Sequence, residues 1–267
     1  MSPKVAVCQI MPRQDREAGK KKYRQMLMQA VHTGADIVVF PEMWVCPYIG
    51  ANFAHYKEPQ GGETYNFMRS LAAEFNVCLF SGSVPEAEGD KVYNTCYVFD
   101  AEGKEIAKHR KIHLFDVDIK GKVSFTESYF IAPGSEITVA DTKFGKIGLA
   151  ICFDIRFGGL FAEMTLRGAK IMILPAAFSM ITGPAHWELL VRARAMDNQV
   201  YFVGAQVARD PNCKFHAWGH STIADPLGKV IAAADENETI IYADLDMGYL
   251  EEVREGLPIP ISRAGTF

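Results

Sequence analysis

The chain is a succession of short apolar runs with helical periodicity between them, and that pattern limits its fold more than any other feature. KVAVCQIM (4–11), ADIVVFPE (35–42), VCLFSGSV (77–84), KIGLAICF (146–153) and AKIMILPA (169–176) are rich in Val, Ile and Leu and stop at polar residues or proline. Such runs read as strands buried on both faces. Between them, Tyr23, Met26, Leu27, Ala30 and Val31 fall at helical spacing from Lys20 to Thr33, and Gly34 suits the helix end. Tyr65, Met68, Leu71, Ala72 and Phe75 mark a second helix over 64–75; 159–167 and 185–198 read as two more. Strands followed by helices predict an α/β fold. Further strands at 92–100 and 104–111, joined by a turn at 101–103, and at 200–206, 218–224, 229–233 and 239–245 predict two mixed sheets with helices outside. Residues 112–135, broken by Gly121 and Pro133-Gly134, read as a long irregular connection, a class of loop that is often functional.

A chain of 267 residues, half of them apolar, buries enough surface to fold without disulfides or metal. One domain over 1–247 is expected, with 248–267 a short C-terminal extension of it. A net charge of −4 gives no footprint for nucleic acid, and Lys20, Lys21 and Lys22 read as the solvated face of a helix. The six cysteines show neither CxxC pairs nor disulfide-framework spacing; scattered free thiols, with no signal-peptide pattern and no membrane-spanning run, predict a cytoplasmic protein. His109 with His113 and His216 with His220 are four apart but lie in strand or loop segments and lack the H-E-x-x-H form, so no metal site is expected. No P-loop, G-x-G-x-x-G or G-x-S-x-G occurs, and no cofactor is expected.

Three strand ends carry reactive residues: Glu42 closes VVFPE, Lys111 follows AKHR, and Cys152 closes LAIC. Sites in α/β sheets lie beyond the carboxyl ends of strands, so the three could converge. Glu42 could take the Cys152 proton and return it to a leaving amine. A lysine cation with the backbone N–H of Phe153 could stabilise an oxyanion. Together they would cleave a C–N bond through a thioester. Pattern alone favours Cys152 as a core thiol, with Glu42 readable as a helix-entry residue and Lys111 as surface.

FPEMW around Glu42, HRKIHLFD around Lys111 and ICFDIRF around Cys152 resemble the three signature regions of the nitrilase superfamily, the carbon–nitrogen hydrolases, in the expected order. YNTCYVFD (93–100), TESYFIAPG (126–134), TGPAHWELLVRARAMDNQ (182–199) and AWGHSTIADPLGKV (217–230) extend the resemblance over nearly the whole chain. It implies a four-layer α-β-β-α sandwich. It also implies Cys152 as nucleophile, Glu42 as general base, Lys111 as oxyanion stabiliser, and Glu127 as a second glutamate orienting Lys111 and the substrate amide. A non-catalytic member would be expected to lack Glu42, Lys111 or Cys152, and all three are present.

Within the superfamily the likeness is greatest to the omega-amidase branch, which hydrolyses the distal amide of 2-oxoglutaramate and 2-oxosuccinamate; deaminated glutathione amidase is the alternative. The implied partner is a small amide bearing a carboxylate. Arg156 is the candidate to bind that carboxylate as a bidentate fork, or else pairs structurally with Asp154 or Glu163. Tyr48, Phe178 and Thr182 sit at family pocket positions, His186 and Trp187 are expected to support the pocket or an interface, and Arg192, Arg194 and Asp197 read as a structural charge network. The resemblance implies a homodimer or larger homo-oligomer. The chain departs from the branch at Phe153, where tyrosine is common, at Met43, Trp44 and Val45, and in its tail, ISRAGTF.

Overall fold

A computed structural model describes residues 2–121 and 123–259; the tail 260–267 lies outside the described residues. The first half runs β1 (Lys4–Gln9), α1 (Arg16–His32), β2 (Ile37–Val39), α2 (Gly50–Tyr56), β3 (Glu58–Pro59), α3 (Glu63–Phe75), β4 (Cys78–Glu88), β5 (Lys91–Phe99) and β6 (Glu105–Arg110). A hairpin of β7 (Asp116–Ile119) and β8 (Val123–Thr126) follows. The second half runs β9 (Thr138–Thr142), β10 (Gly145–Leu149), α4 (Gly158–Leu166), β11 (Ile171–Ala176), α5 (Gly183–Asn198), β12 (Tyr201–Gln206), β13 (Thr222–Ala224) and β14 (Val230–Ala233), then β15 (Thr239–Asp244) and α6 (Met247–Gly256).

One sheet has the order β15-β1-β2-β4-β5-β6, with β3 on the edge of β4; the other has the order β14-β13-β12-β11-β10-β9. Both are mixed: β1, β2 and β4 run parallel, as do β10, β11 and β12, and the flanking strands other than β3 pair antiparallel. β15 comes from the far end of the chain and pairs with β1, Lys4 opposite Asp244.

Strand alternation explains the layers. Val5, Val7, Ile37, Val39, Cys78 and Phe80 turn inward to meet Ile147, Leu149, Ile171, Ile173 and Val203 of the other sheet. Ala6, Cys8, Val38, Phe40 and Leu79 turn outward to Tyr23, Met26, Leu27, Met68 and Leu71 of α1 and α3. Met172 and Phe202 face Met164, Phe161 and Val191 of α4 and α5. The result is helices, sheet, sheet, helices. Small residues permit the close approach: a Cβ on Gly204 would stand 2.6 Å from the Trp187 ring.

Three expectations change. Residues 112–135 are not irregular throughout: Val117 with Phe125 and Ile119 with Val123 pair as a hairpin, and Gly121 at φ +73 belongs to its turn rather than breaking the strand. Lys20 is not solvated; it is buried between α1 and α3, where Glu17 and Glu63 neutralise it. The strand expected to reach Phe153 stops at Leu149, and Cys152 opens a 3-10 turn (Cys152–Arg156). No helix among the described residues is long and apolar enough to cross a membrane.

Candidate active site

Cys152 stands at φ +47, in the left-handed region that residues with a Cβ avoid. The turn is held from several sides. Asp154, fully buried, accepts the Ile151 N–H at 3.0 Å, the His109 ring at 3.3 Å, and both the backbone N–H and ring of His113 at 2.9 and 2.7 Å. Burial alone would raise the Asp154 carboxyl, but the hydrogen bonds from His109 and His113 hold it well below its ordinary value. Arg194 donates to the Ile155 carbonyl at 2.9 Å from the other side and lies 3.4 Å from Asp197. The backbone is thereby over-determined, which is how a strained residue persists.

Glu42 reaches the same place from the loop after β2. Met43, next to it, is also left-handed at φ +50, and its N–H is fixed by the Ser83 hydroxyl at 3.1 Å. Lys111 follows β6 and Glu127 opens the 3-10 turn after β8. All three side chains are fully buried. Lys111 Nζ donates to Glu42 Oε1 at 2.9 Å and to Glu127 Oε1 and Oε2 at 3.1 and 2.9 Å. The Phe115 N–H donates to Glu127 Oε2 at 2.7 Å.

Two buried carboxylates share one ammonium, and the electrostatics follow. Burial pushes the Glu42 carboxyl above its ordinary value; Lys111 opposes this and Glu127 adds to it. Burial alone would depress the Lys111 ammonium, but Glu127 and Glu42 hold it well above its ordinary value. Burial, with Glu42 nearby, pushes the Cys152 thiol well up against the pull of Lys111. The shifts favour a thiol on Cys152 and an ammonium on Lys111, and they make the Glu42 carboxylate a stronger base than an exposed one.

Cys152 opens on a cavity of about 350 Å³, whose lining includes Tyr48, Phe153, Arg156, Phe178, Thr182 and Lys214. Among the described residues no carboxylate lines it. Tyr48 joins cavity to charges, its hydroxyl 3.4 Å from Glu42 Oε1. Phe178 packs on Trp187 at 5.1 Å between ring centroids and still faces the cavity. Val123, Ser124 and Phe125 form a wall, so the hairpin within 112–135 is part of the site.

The carbon-nitrogen hydrolase family model matches residues 4–255. The chain belongs to the carbon–nitrogen hydrolases. Among similar members of the family, omega-amidase NIT2 of Xenopus tropicalis is 47% identical over 235 residues, covering 88% of this chain and 85% of that one. Omega-amidase NIT2 of Danio rerio is 41% identical over 260 residues, covering 97% and 94%. The crystal structure of Saccharomyces cerevisiae Nit3, a member of branch 10 of the nitrilase superfamily, superposes with a TM-score of 0.89 at 38% identity, covering 97% of this chain and 95% of that one.

Within this hydrolase, the residues expected from sequence lie in one place. Glu42, Lys111, Glu127 and Cys152 form the buried group, and Phe153, Arg156, Tyr48, Phe178 and Thr182 line the cavity beside it. Arg156 pairs with neither Asp154 nor Glu163: the first is held by His109 and His113, the second by Arg167. His109 and His113 are thus structural donors to Asp154, and among the described residues no cluster of His, Cys, Asp and Glu is placed to hold a metal ion. Sequence reasoning missed Asn94, whose amide donates to Glu42 Oε1 at 2.7 Å. Nothing local in YNTCYVFD, where Thr95 and Asp100 are also polar, marks it. It also missed Lys214 on the cavity wall, which no local pattern marks.

Proposed function

We propose that this chain is an omega-amidase: a thiol hydrolase that frees ammonia from the distal amide of short 2-oxo dicarboxylic monoamides, 2-oxoglutaramate and 2-oxosuccinamate. The observation that carries the reading is an Arg156 guanidinium that has no carboxylate partner among the described residues and lines the cavity that contains Cys152. An unpaired cation in a cavity lined by aromatic rings favours a ligand with one carboxylate and an uncharged remainder. The omega-amidase relatives support the same substrate class.

The steps follow from the electrostatics. Cys152 rests as a thiol, so its proton must leave as its sulfur attacks the amide carbon, and Glu42 receives it. Glu42 Oε1 already accepts from Lys111 and Asn94, whereas Oε2 has no hydrogen-bond partner among the described residues and is the oxygen that takes the proton. Negative charge that builds on the carbonyl oxygen is met by the Lys111 ammonium and the Phe153 N–H. The C–N bond breaks as Glu42 returns the proton to the departing nitrogen, leaving ammonia and a Cys152 thioester. Water gives a proton to Glu42, adds to the thioester and expels the sulfur, which recovers its proton from Glu42. Glu127 keeps Lys111 charged and in place, and Tyr48, Phe178 and Thr182 shape the cavity around the acyl chain.

A second reading, hydrolysis of deaminated glutathione, draws on Lys214, a further cation on the cavity wall suited to a second carboxylate. Two other parts of the reading rest on less. A cytoplasmic location is favoured by six cysteines that are all free. A homodimer is favoured by the family resemblance and by Leu189 and Met196, apolar and exposed on α5. The test of function is ammonia release by the purified protein from 2-oxoglutaramate beside deaminated glutathione, with Cys152→Ala as control. Faster release from 2-oxoglutaramate, lost in the variant, is expected. Release mainly from deaminated glutathione would move the assignment to the second reading, and full activity in Cys152→Ala would overturn the mechanism.

A further inference from the structure

Asn94 lies in β5 with its side chain fully buried. Its amide nitrogen donates to Glu42 Oε1 at 2.7 Å and to Glu127 Oε1 at 3.5 Å. Its backbone carbonyl accepts the Lys111 N–H at 2.9 Å. One residue therefore touches all three charged members of the buried group.

The amide oxygen of Asn94 has no hydrogen-bond partner among the described residues. A buried polar atom left that way needs an explanation. Here it follows from the neighbours. Turning the amide over would set its oxygen 2.7 Å from the Glu42 carboxylate, so the nitrogen must face the two acids and the oxygen is stranded. The site tolerates an orphan acceptor in order to keep a donor on Glu42.

That donor has a directional effect. Glu42 Oε1 accepts from Lys111, Asn94 and, at 3.4 Å, Tyr48, while Oε2 has no such donor among the described residues. The groups acting on Glu42 are Lys111 from the end of β6, Glu127 from its 3-10 turn, Tyr48 from the loop after β2, and Cys152 from the strained turn, whose thiol interacts with the same carboxyl. Asn94 is the donor among these neighbours that never carries charge. It can fix the carboxylate without reducing its basicity as a second cation would.

We propose that Asn94 is the positioning residue for Glu42: it pins Oε1 as a permanent acceptor, so that Oε2 exchanges the proton with Cys152. The inference rests on the thiol-amidase reading. Loss of a hydrogen-bond donor to a carboxylate disfavours its charged form, so Glu42 would titrate at higher pH without Asn94.

The test is the pH profile of Cys152 alkylation by iodoacetamide, measured on the full chain with Cys152→Ala as the blank, beside steady-state ammonia release. The blank corrects for Cys213, which is partly exposed, and for Cys8, Cys46, Cys78 and Cys96, which are buried and do not line the cavity. Asn94→Ala removes the donor, Asn94→Leu removes it while filling the volume, and Asn94→Ser restores a shorter donor. The acid limb is expected to move up by roughly one pH unit in the Ala and Leu variants and less in Ser. With substrate, kcat should fall by about tenfold with KM changed less than kcat. An acid limb at the wild-type position in a variant that melts cooperatively would overturn the proposal, as would a loss expressed mainly in KM. If the wild-type chain released no ammonia from either amide, the functional reading would fail, and the alkylation profile would still decide the role of Asn94.

Discussion

Arg156, half-buried, lies 3.1 Å from the Nδ1 of His186, an imidazole where a guanidinium withdrawn from water more often meets an acid. The contact fixes the arm of Arg156 and leaves its charge uncompensated, with its Nε lacking a hydrogen-bond partner among the described residues. Burial correspondingly lowers the guanidinium from its ordinary value.

Replacing Arg156 should therefore separate charged from neutral substrates. Arg156→Ala is expected to raise KM for 2-oxoglutaramate by about ten- to a hundredfold, the size of a charged hydrogen-bond pair. A neutral short amide such as propionamide should lose less than about threefold in kcat/KM by the same comparison. Equal losses on both amides would show that Arg156 only supports the fold.

The buried ion group predicts a stability difference between its members. Lys111→Met leaves two carboxylates facing each other without a cation, which costs about 3–5 kcal/mol and lowers the melting temperature by roughly 10 °C. Glu127→Gln leaves one ammonium with one carboxylate and should lower it by less. Calorimetric melts of the two variants check the order.

The pH dependence of activity has a definite sign. Glu42 must be ionised to accept the Cys152 proton, and its carboxyl is raised. The acid limb of kcat/KM should then lie above the ordinary glutamate value of about 4.3. Lys111 is held well above its ordinary value, so its deprotonation should impose no alkaline limb below pH of about 10. Stopped assays across pH 4–10 would show both.

Asp154 governs acid stability instead. Its folded carboxyl is depressed, so its contribution is present above the unfolded value of about 3.9 and is lost as pH falls through the folded value. Asp154→Asn should be less stable than wild type by a constant margin near pH 7. The margin should shrink on going well below pH of about 4. Urea midpoints at several pH values measure it.

Gly134 links backbone to chemistry. Its N–H donates to the Lys111 carbonyl at 2.8 Å, and a Cβ there would lie 2.3 Å from the Arg110 carbonyl oxygen. Gly134→Ala must displace the chain that carries Lys111. A cost of about 1–3 kcal/mol in stability, with a fall in kcat, is expected from urea melts and the ammonia assay.

Much of this architecture was legible in the sequence because burial on both faces leaves a plain record. VAVC, DIVVF and KIMIL could hardly be anything but interior strands, and Tyr23, Met26, Leu27 and Ala30 align on one helix face. Cys152, Glu42 and Lys111 stood out because each ends or follows such a run. What was hidden depends on contacts distant in sequence. Asn94 looks like any polar residue in a strand until Glu42, 52 positions away, is brought against it. Asp154 looked like a partner for Arg156, its near neighbour, yet His109 and His113 claim it from 45 and 41 positions away. The hairpin at 116–126 was masked by Lys and Gly in its turn, which resemble the composition of a loop.

The pairing of β1 with β15 has a consequence for biosynthesis. β1 is made early, but one edge of it stays open until Thr239–Asp244 has been made. An unpaired apolar strand is a template for the wrong neighbour. The sheet begun by β1 must thus wait for more than 200 further residues before its edge is closed, and sequence-distant closure of this kind is slow. Truncation before Thr239 should yield inclusion bodies rather than a smaller working enzyme, and chaperone occupancy on the nascent chain should persist until that strand emerges.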